Sequence, residues 1–307
     1  ADEPVTSERI YFPMTRDVLR AAYLVVIPAP GIGHTYEIII DAADGSLLAR
    51  GNRLVADSTQ PVTMRVYTSD GIAPLSPSHP TPSLIQAPVV QRELITIRPE
   101  DVIPFSPNGW INDNDTQTLG NNADVHLDLD GNNTPDTPRP DGGAVRIFDF
   151  PMDPDQEPWS YRDAAVTQVF YLANRFHDRL FALGFNEAAA NFQAVNFSGA
   201  GAGNDRLIVD VQDTYGQANP SFNNANFNGG GGDGTTGRVQ LYIFNGPAPD
   251  RDSAFSADIV YHEFAHGLST RLLGGIDFTA LQTRSMGEGW SDFFGICLLA
   301  EPGDDPD

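Results

Sequence analysis

His262, Glu263 and His266 form the pattern H-E-x-x-H near the carboxyl end of this 307-residue chain. Residues at i and i+4 of a helix lie on the same face, so the two imidazoles can bind one metal ion. Glu263 then points to the open side of that ion, where a water molecule would bind. The pattern therefore predicts a metal centre with a water position beside it.

Zinc fits this pattern best, because imidazole nitrogens with a carboxylate oxygen are a usual zinc ligand set and a catalytic zinc keeps one position free. Two histidines supply half of such a site, so a third ligand must come from elsewhere. Glu288 lies 22 residues after His266, far enough for one helix to end and another to begin alongside. If Asp292 is helical too, it lies one turn later and can accept the second ring N–H of a metal-bound histidine.

The segment 258–273 is predicted to be the helix that carries both histidines. Ser256 and Asp258 are typical of a helix start, and Gly274-Gly275 is typical of a helix end. A surface helix with two solvated histidines is the alternative. The start and stop signals, together with the E-x-x-x-D spacing downstream, favour the zinc site.

Other stretches predict a second long helix and several strands. The helix is 160–183, and its His177 and Asp178 are expected to make a structural hydrogen bond rather than bind metal. Residues 58–110 resemble a long linker leading into an irregular β region, and 223–232 a flexible segment. Strands or short β-prone pieces are predicted at 21–27, 36–42, 47–49, 62–67, 89–97, 205–211 and 237–244.

Residues 128–136 are an acidic loop with the opening D-x-D-x-N, which resembles the start of a calcium loop. Asn133 stands where such a loop has glycine, and Arg139 stands where it has its closing glutamate. We therefore expect a solvated, turn-forming loop, with a Ca²⁺ site as the alternative.

Composition limits the partners. The formal net charge is −23 and the pI about 4.3, which argues against a nucleic-acid polyanion as partner. No apolar run is long enough to span a membrane.

The single cysteine, Cys297, permits no intrachain disulfide and is expected to be a small buried hydrophobe. The start of the chain has no charged and apolar leader, so we expect any signal peptide to have been removed.

The motifs closely resemble the fungalysin family of secreted zinc metallopeptidases. The resemblance covers roughly residues 60–300. It rests on 262–275 and 287–292, and upstream on 106–110, 120–122, 148–151, 163–168, 176–178, 191–193, 203–205 and 223–227.

The resemblance implies an α+β, thermolysin-like (gluzincin) fold in three parts. Residues 1–57 would be a small β hairpin similar to the tail of the family's inhibitory propeptide. Residues 58–250 would form a β-rich N-terminal lobe, and residues 251–307 the zinc-binding helices at the start of a helical C-terminal lobe.

The same resemblance implies roles for particular residues. His262, His266 and Glu288 would bind zinc, Glu263 would be the catalytic base, and Asp292 would orient a zinc ligand. Asn224, Ala225 and Asn226 would form the edge that holds the substrate backbone. The expected function is a secreted zinc endopeptidase that hydrolyses internal bonds of protein or peptide substrates.

The family continues well past the third ligand, whereas this chain has 19 residues after Glu288. We therefore expect a truncated C-terminal lobe, and the activity of this chain alone stays an open question. Its remainder would be a separate chain, or the chain would be an incomplete product. The alternatives are a non-catalytic zinc-binding fragment and a zinc aminopeptidase, which would need an acidic anchor for a free amino terminus.

Overall fold

The computed structural model describes residues 4–15, 18–29, 34–54, 59–68, 91–102, 105–246, 248–275 and 281–300. The chain divides into two compact units, one made of residues 1–57 and 195–200 and the other of residues 58–194 and 201–307. Helices and sheets both occur, so the predicted α+β class is confirmed. No helix in the described ranges is long and apolar enough to cross a membrane.

The first unit contains an antiparallel sheet of four strands that pair in chain order. Between the third and fourth strands, the Asp44 carboxylate accepts a hydrogen bond from the Ser46 amide at 2.9 Å, and Gly45 has a φ of +76°. Glycine adopts this conformation without steric cost, which explains the turn at the Asp-Gly step. The strands are β1 (Thr6–Thr15), β2 (Val18–Ala29), β3 (His34–Asp41) and β4 (Leu47–Leu54).

The described strands of the second unit are shorter. They are β5 (Val62–Val66), β6 (Glu93–Ile97), β7 (Ala123–Leu127), β8 (Ile147–Phe148), β9 (Leu207–Val211), β10 (Ala225–Gly229), β11 (Gly237–Leu241), β12 (Ile243–Phe244) and β13 (Arg251–Asp252). One sheet has the order β10-β11-β9-β7, in which β7, β9 and β11 run parallel and β10 is an antiparallel outer strand. A second has the order β6-β5-β8, and β12 pairs with β13.

Four helices accompany these sheets in the described ranges: α1 (Pro99–Val102), α2 (Arg162–Ala182), α3 (Ala257–Leu272) and α4 (Leu281–Leu299). Helix α2 packs against β5, β7 and α3, and most of its side chains are buried. The parallel strands beneath it are completely buried at Val125, Val209 and Val239. Parallel strands covered on both faces are near-continuous apolar runs, as the strand 207–211 is here.

Helix α3 begins and ends where the sequence predicts. Gly274 and Gly275 have φ of +68° and +77°, and the Gly275 amide donates to the Thr270 carbonyl at 2.9 Å. This is the left-handed glycine ending expected of a helix. At the other end the Ser256 hydroxyl donates to the Asp258 carboxylate at 2.5 Å instead of accepting a backbone N–H.

The predictions for helices 160–183 and 258–273 are confirmed, as are the strands or β-prone pieces at 21–27, 36–42, 47–49, 62–67, 89–97, 205–211 and 237–244. Strand β5, at 62–66, contributes the buried core residues Val62, Met64 and Val66. Two features differ. Strand β1 has no counterpart in the prediction. The predicted flexible segment 223–232 contains β10, which is held in the sheet by β11. Most of the remaining linker, residues 69–90, lies outside the described residues.

Candidate active site

Helices α3 and α4 pack closely because the face of α4 toward α3 carries small residues. Gly287, Ser291 and Gly295 are spaced four residues apart and are buried, so they share one face. A Cβ atom added at Gly295 would lie 3.3 Å from the Asp258 carbonyl oxygen and 3.7 Å from the His262 amide nitrogen. The two backbones therefore approach closely beside the histidines.

Three donor atoms from these helices meet at one point. The Nε2 atoms of His262 and His266 are 3.1 Å apart. Glu288 Oε2 is 3.1 Å from His262 Nε2 and 3.4 Å from His266 Nε2. The three residues thus form a compact group able to hold a metal ion.

The spacing of these donors fits a zinc ion. Ligands at about 2.0–2.1 Å from a tetrahedral zinc lie about 3.3 Å from one another. The observed donor separations of 3.1, 3.1 and 3.4 Å are close to that value. Two imidazole nitrogens with one carboxylate oxygen are also a donor set that leaves one position open.

The surroundings orient the ring of His262 and lower the pKa of His266. The Asp292 Oδ1 atom is 2.7 Å from His262 Nδ1, which leaves Nε2 of that ring to face the donor group. Burial lowers the pKa of His266; Glu288 opposes this shift, whereas His262 adds to it. A histidine must be neutral to bind a metal, so these surroundings favour the binding form.

Glu263 lies next to His262 but is oriented inward and is only 6% exposed. Burial raises the pKa of Glu263 to about 7; the charge of Glu288 raises it further and His262 lowers it. A carboxyl group with a pKa near neutrality can both accept and return a proton. The glutamate is therefore suited to proton transfer in the cleft that it lines.

The donor group lies in a cleft of ≈1020 Å³. Residues 223–227, which include Asn224, Ala225 and Asn226, line it together with the donors, Glu263 and Asp292. Strand β10 is the outer strand of its sheet as described, so one edge of its backbone has no strand beside it. The structure therefore brings all the predicted site residues into one cleft.

Helix α3 is held against this edge by close packing. A Cβ atom at Gly267 would lie 2.9 Å from the Phe227 ring of β10 and 3.1 Å from the Phe192 ring. Only glycine therefore allows α3 to lie this close to the two rings. Farther along α3, the buried Arg271 donates to the Gly230 carbonyl at 2.6 Å and to the Asp205 carboxylate at 2.9 Å. These contacts fix the helix relative to the loop after β10.

Arg284 also lines the cleft, and it is not among the site residues predicted from the sequence. Its position one turn before Glu288 on α4 is the only signal that could have found it. A second candidate metal group consists of Asp128, Asp210 and Asp213. These residues are far apart in sequence, so the group can be found only when the neighbouring strands are known. Asp128 is completely buried, so the prediction of a solvated loop is wrong at that residue, although residues 132–135 are exposed.

His177 and Asp178 lie away from this cleft, in a buried network. The Asp178 carboxylate accepts hydrogen bonds from the Ser106 hydroxyl and the Trp110 indole, both at 2.7 Å. His177 Nδ1 is 2.9 Å from Asp178 Oδ1, and Asn191 lies 3.2 Å from the other ring nitrogen. The predicted structural hydrogen bond is confirmed. Cys297, by contrast, is exposed, so its predicted burial is wrong.

An α+β fold with a histidine–glutamate donor group in a cleft defines a candidate metallohydrolase. The model of the family described as Fungalysin metallopeptidase (M36) matches residues 81–307, well over half of the chain. The chain therefore belongs to the fungalysin metallopeptidase family.

Similar curated proteins carry consistent names. Extracellular metalloproteinase 5 of Trichophyton tonsurans is 42% identical over 207 residues, which cover 65% of this chain and 33% of that protein. Extracellular metalloproteinase 3 of Arthroderma benhamiae is 43% identical over 211 residues, which cover 66% of this chain and 32% of that protein. The chain thus spans about a third of the length of the curated relatives it matches.

Proposed function

We propose that this chain carries the catalytic centre of a secreted zinc endopeptidase. The observation that carries the proposal is the meeting of His262, His266 and Glu288 donor atoms within 3.4 Å of one another, beside the buried Glu263. Membership of a metallopeptidase family supports hydrolysis of peptide bonds. The names of the similar proteins, extracellular metalloproteinases, support an extracellular location.

In this proposal the Nε2 atoms of His262 and His266 and the carboxylate of Glu288 hold the zinc ion. Asp292 positions His262 through the second ring nitrogen. A zinc ion held by these residues would supply a Lewis acid, which would lower the pKa of a bound water molecule and polarise the carbonyl group to be attacked. Glu263 and strand β10, which line the same cleft, are the other protein groups of the proposed site.

Glu263 is the general base. It accepts a proton from the attacking water and then returns that proton to the amine that leaves when the carbon–nitrogen bond breaks. Burial is what suits it to both steps, because a pKa raised to about 7 makes proton acceptance and proton return comparably easy. A carboxylate in free solution, with a pKa of about 4.3, is a weaker base and would accept the proton of the attacking water less readily.

Strand β10 is the proposed binding edge for the substrate. An extended peptide can add to an exposed strand edge through backbone hydrogen bonds, and β10 lines the cleft beside the donor group. Asn224, Ala225 and Asn226 would then lie along the substrate backbone. This mode of binding suits internal stretches of protein or peptide chains, because it needs no free terminus.

Two substitutions test these roles. Glu263→Gln is expected to keep one zinc per chain while lowering casein hydrolysis by at least about a hundredfold, since it removes the base and leaves the ligands. His262→Ala is expected to lose the zinc itself. Zinc content by mass spectrometry and initial hydrolysis rates measure the two effects separately. Full hydrolysis by Glu263→Gln would contradict the assigned base.

A second candidate is a zinc-binding segment that hydrolyses peptides only together with further sequence. It is favoured by the observation that the chain spans about a third of its relatives' length. One zinc bound per chain with no hydrolysis, and activity gained when the part of a relative that follows its matched segment is added, would select it. Hydrolysis by the chain alone would select the first candidate.

A further inference from the structure

A second group of acidic side chains lies at the carboxyl ends of two neighbouring parallel strands. Asp128 directly follows β7, Asp210 lies in β9, and Asp213 follows β9 by two residues. One carboxylate oxygen from each lies within 4.8 Å of the others, and all three residues are at most 1% exposed. None of them lines the cleft described above.

Asp128 and Asp210 have partners that account for their burial. The Asp128 carboxylate accepts the backbone N–H groups of Asn132 at 3.0 Å and Asn133 at 2.8 Å. Asp210 pairs with Arg238 at 2.5 Å, and its Oδ1 lies 3.0 Å from His126 Nε2. Buried carboxylates require such hydrogen bonds or opposite charges, and these two have them.

Asp213 does not. Its Oδ2 accepts a hydrogen bond from the Gln240 amide at 2.5 Å, and the Tyr242 hydroxyl also interacts with the carboxylate. Its Oδ1 is buried and accepts no hydrogen bond from any described residue. Both partners are neutral, and the negative charges of Asp128 and Asp210 lie nearby. An unpaired, buried carboxylate oxygen of this kind is costly unless a cation binds to it.

We propose that Asp128, Asp210 and Asp213 bind a calcium ion. Carboxylate oxygens are the ligands that Ca²⁺ prefers, whereas zinc is bound mainly by nitrogen and sulfur donors. Oxygens on opposite sides of a calcium ion lie about 5 Å apart, so donors within 4.8 Å of one another fit around one ion. Mg²⁺ fits less well, because it keeps several waters and demands near-ideal octahedral geometry.

The surroundings of Asp213 disfavour its negative charge. Burial raises the pKa of Asp213 to about 6, and the charges of Asp128 and Asp210 raise it further. A divalent cation bound beside Asp213 would offset both effects, since it would pair with all three carboxylates.

The site connects to the strand edge through Gln240. This residue lies on β11 opposite Asn226 of β10, and its side-chain oxygen accepts a hydrogen bond from Asn228 of β10 at 3.2 Å. Its amide nitrogen donates to Asp213. A cation that fixes Asp213 therefore also fixes Gln240 and, through it, the outer strand. We expect calcium to stabilise the second unit.

Calcium titration of the complete chain tests the proposal. The three tryptophans, at positions 110, 159 and 290, all belong to the second unit, so their fluorescence during heating reports its melting temperature. We expect one Ca²⁺ per chain by calorimetry and a Tm rise of roughly 5–10 °C at a hundredfold excess over Kd. The titration is done in His262→Ala, so that the histidine donor group cannot contribute the signal.

Two carboxylate-to-amide variants separate the site from general charge effects. Asp213→Asn, which keeps the shape, is expected to weaken calcium binding by at least a hundredfold and to lose the Tm rise. It should melt no lower than the parent without calcium, which shows that it folds. Asp155→Asn removes one exposed carboxylate and is expected to bind as the parent does.

Three results would overturn the proposal. The first is no binding by the parent at 10 mM Ca²⁺, which would leave Arg238 as the cation that serves this cluster. The second is undiminished binding in Asp213→Asn. The third is equal stabilisation by Mg²⁺ at the same concentrations. None of these results bears on zinc binding or on peptide hydrolysis, because the two groups of residues are separate.

Discussion

At the scale of single residues, the proposed zinc site includes the contact between Asp292 and His262 as well as the three donors. A metal-bound histidine whose second nitrogen is fixed by a carboxylate keeps the correct tautomer and ring orientation. Asp292 is largely exposed, with 66% of its side chain accessible, yet its Oδ1 lies 2.7 Å from His262 Nδ1. The hydrogen bond rather than the burial of the carboxylate therefore gives the residue its role.

Asp292→Ala is expected to weaken zinc binding about 10- to 100-fold, because it frees the ring of His262. Asp292→Asn should lose less, since its amide oxygen can still accept the Nδ1 hydrogen. Competition with a chromogenic zinc chelator measures both affinities. Ser285→Ala on the same helix, where the hydroxyl bonds only to the Leu281 carbonyl, is the control. Equal affinities in all four proteins would show that Asp292 does not position the ligand.

At the scale of elements, the donor group depends on how closely two helix backbones approach. Small side chains at Gly287, Ser291 and Gly295 allow α4 to lie against α3. Since His262 and His266 are on α3 and Glu288 is on α4, any separation of the helices lengthens the distances between their donors. In the proposed site, the affinity for zinc therefore reports how closely α3 and α4 pack.

Gly295→Val is expected to lower zinc affinity by tenfold or more, because an added Cβ would meet the backbone of α3 at 3.3 Å. The matched control is Gly289→Val on the same helix, where an added Cβ meets nothing within 4 Å. Both variants carry the same change in helix propensity, so a difference between them reports packing. The same chelator competition measures it. If both variants bind zinc equally, the close approach is not what sets the donor geometry.

Helices could be predicted well because their signals are local. The four-residue spacing of His262 and His266 and the glycines at 274–275 require only neighbouring residues, and the structure confirms the helix that they indicate. Strand β10 could not be predicted, because Asn226, Asn228 and Gly229 are poor strand formers. Pairing with β11 and the packing of Phe227 against Gly267 hold it in place, and both are tertiary contacts.

The donor group illustrates the same limit. The sequence indicates that Glu288 is the third donor, but the spacing between it and the histidines depends on the stripe of small residues on α4. Asp128, by contrast, is predicted to be solvated because its loop is polar. Its burial arises from β9, which brings Asp210 and Asp213 beside it. No spacing along the chain links residue 128 to residues 210 and 213.

At the scale of the whole molecule, a net charge of −23 makes every further loss of a proton by a carboxyl group less favourable. Asp252 is a buried example. Its carboxylate accepts hydrogen bonds from the Gln212 amide at 2.7 Å and from the Ala254 amide at 2.9 Å. Even so, burial raises the pKa of Asp252 from 3.8 to about 6. The folded protein therefore holds this proton at pH values where the unfolded chain has released it.

The sign of the resulting pH effect follows from proton linkage. Between about pH 4 and pH 6 the folded state binds more protons at Asp252 than the unfolded state, so stability falls as the pH rises through this range. A shift of this size corresponds to about 3 kcal/mol of unfolding free energy for this group alone. Asp124, whose pKa is lowered to about 2, has the opposite effect on the free energy of unfolding. Its stabilising contribution is present above about pH 4 and is lost as the pH falls toward 2.

Asp252→Asn is therefore expected to match the parent near pH 4 and to exceed its stability by about 2–3 kcal/mol at pH 7. The amide resembles the protonated acid in shape and is uncharged, so it avoids the cost of a buried charge at neutral pH. Urea unfolding followed by tryptophan fluorescence at four pH values measures the second unit, with Asp155→Asn as the exposed control. A difference between Asp252→Asn and the parent that stays constant from pH 4 to pH 7 would show that Asp252 does not titrate in this range, and burial would then not be what sets its pKa.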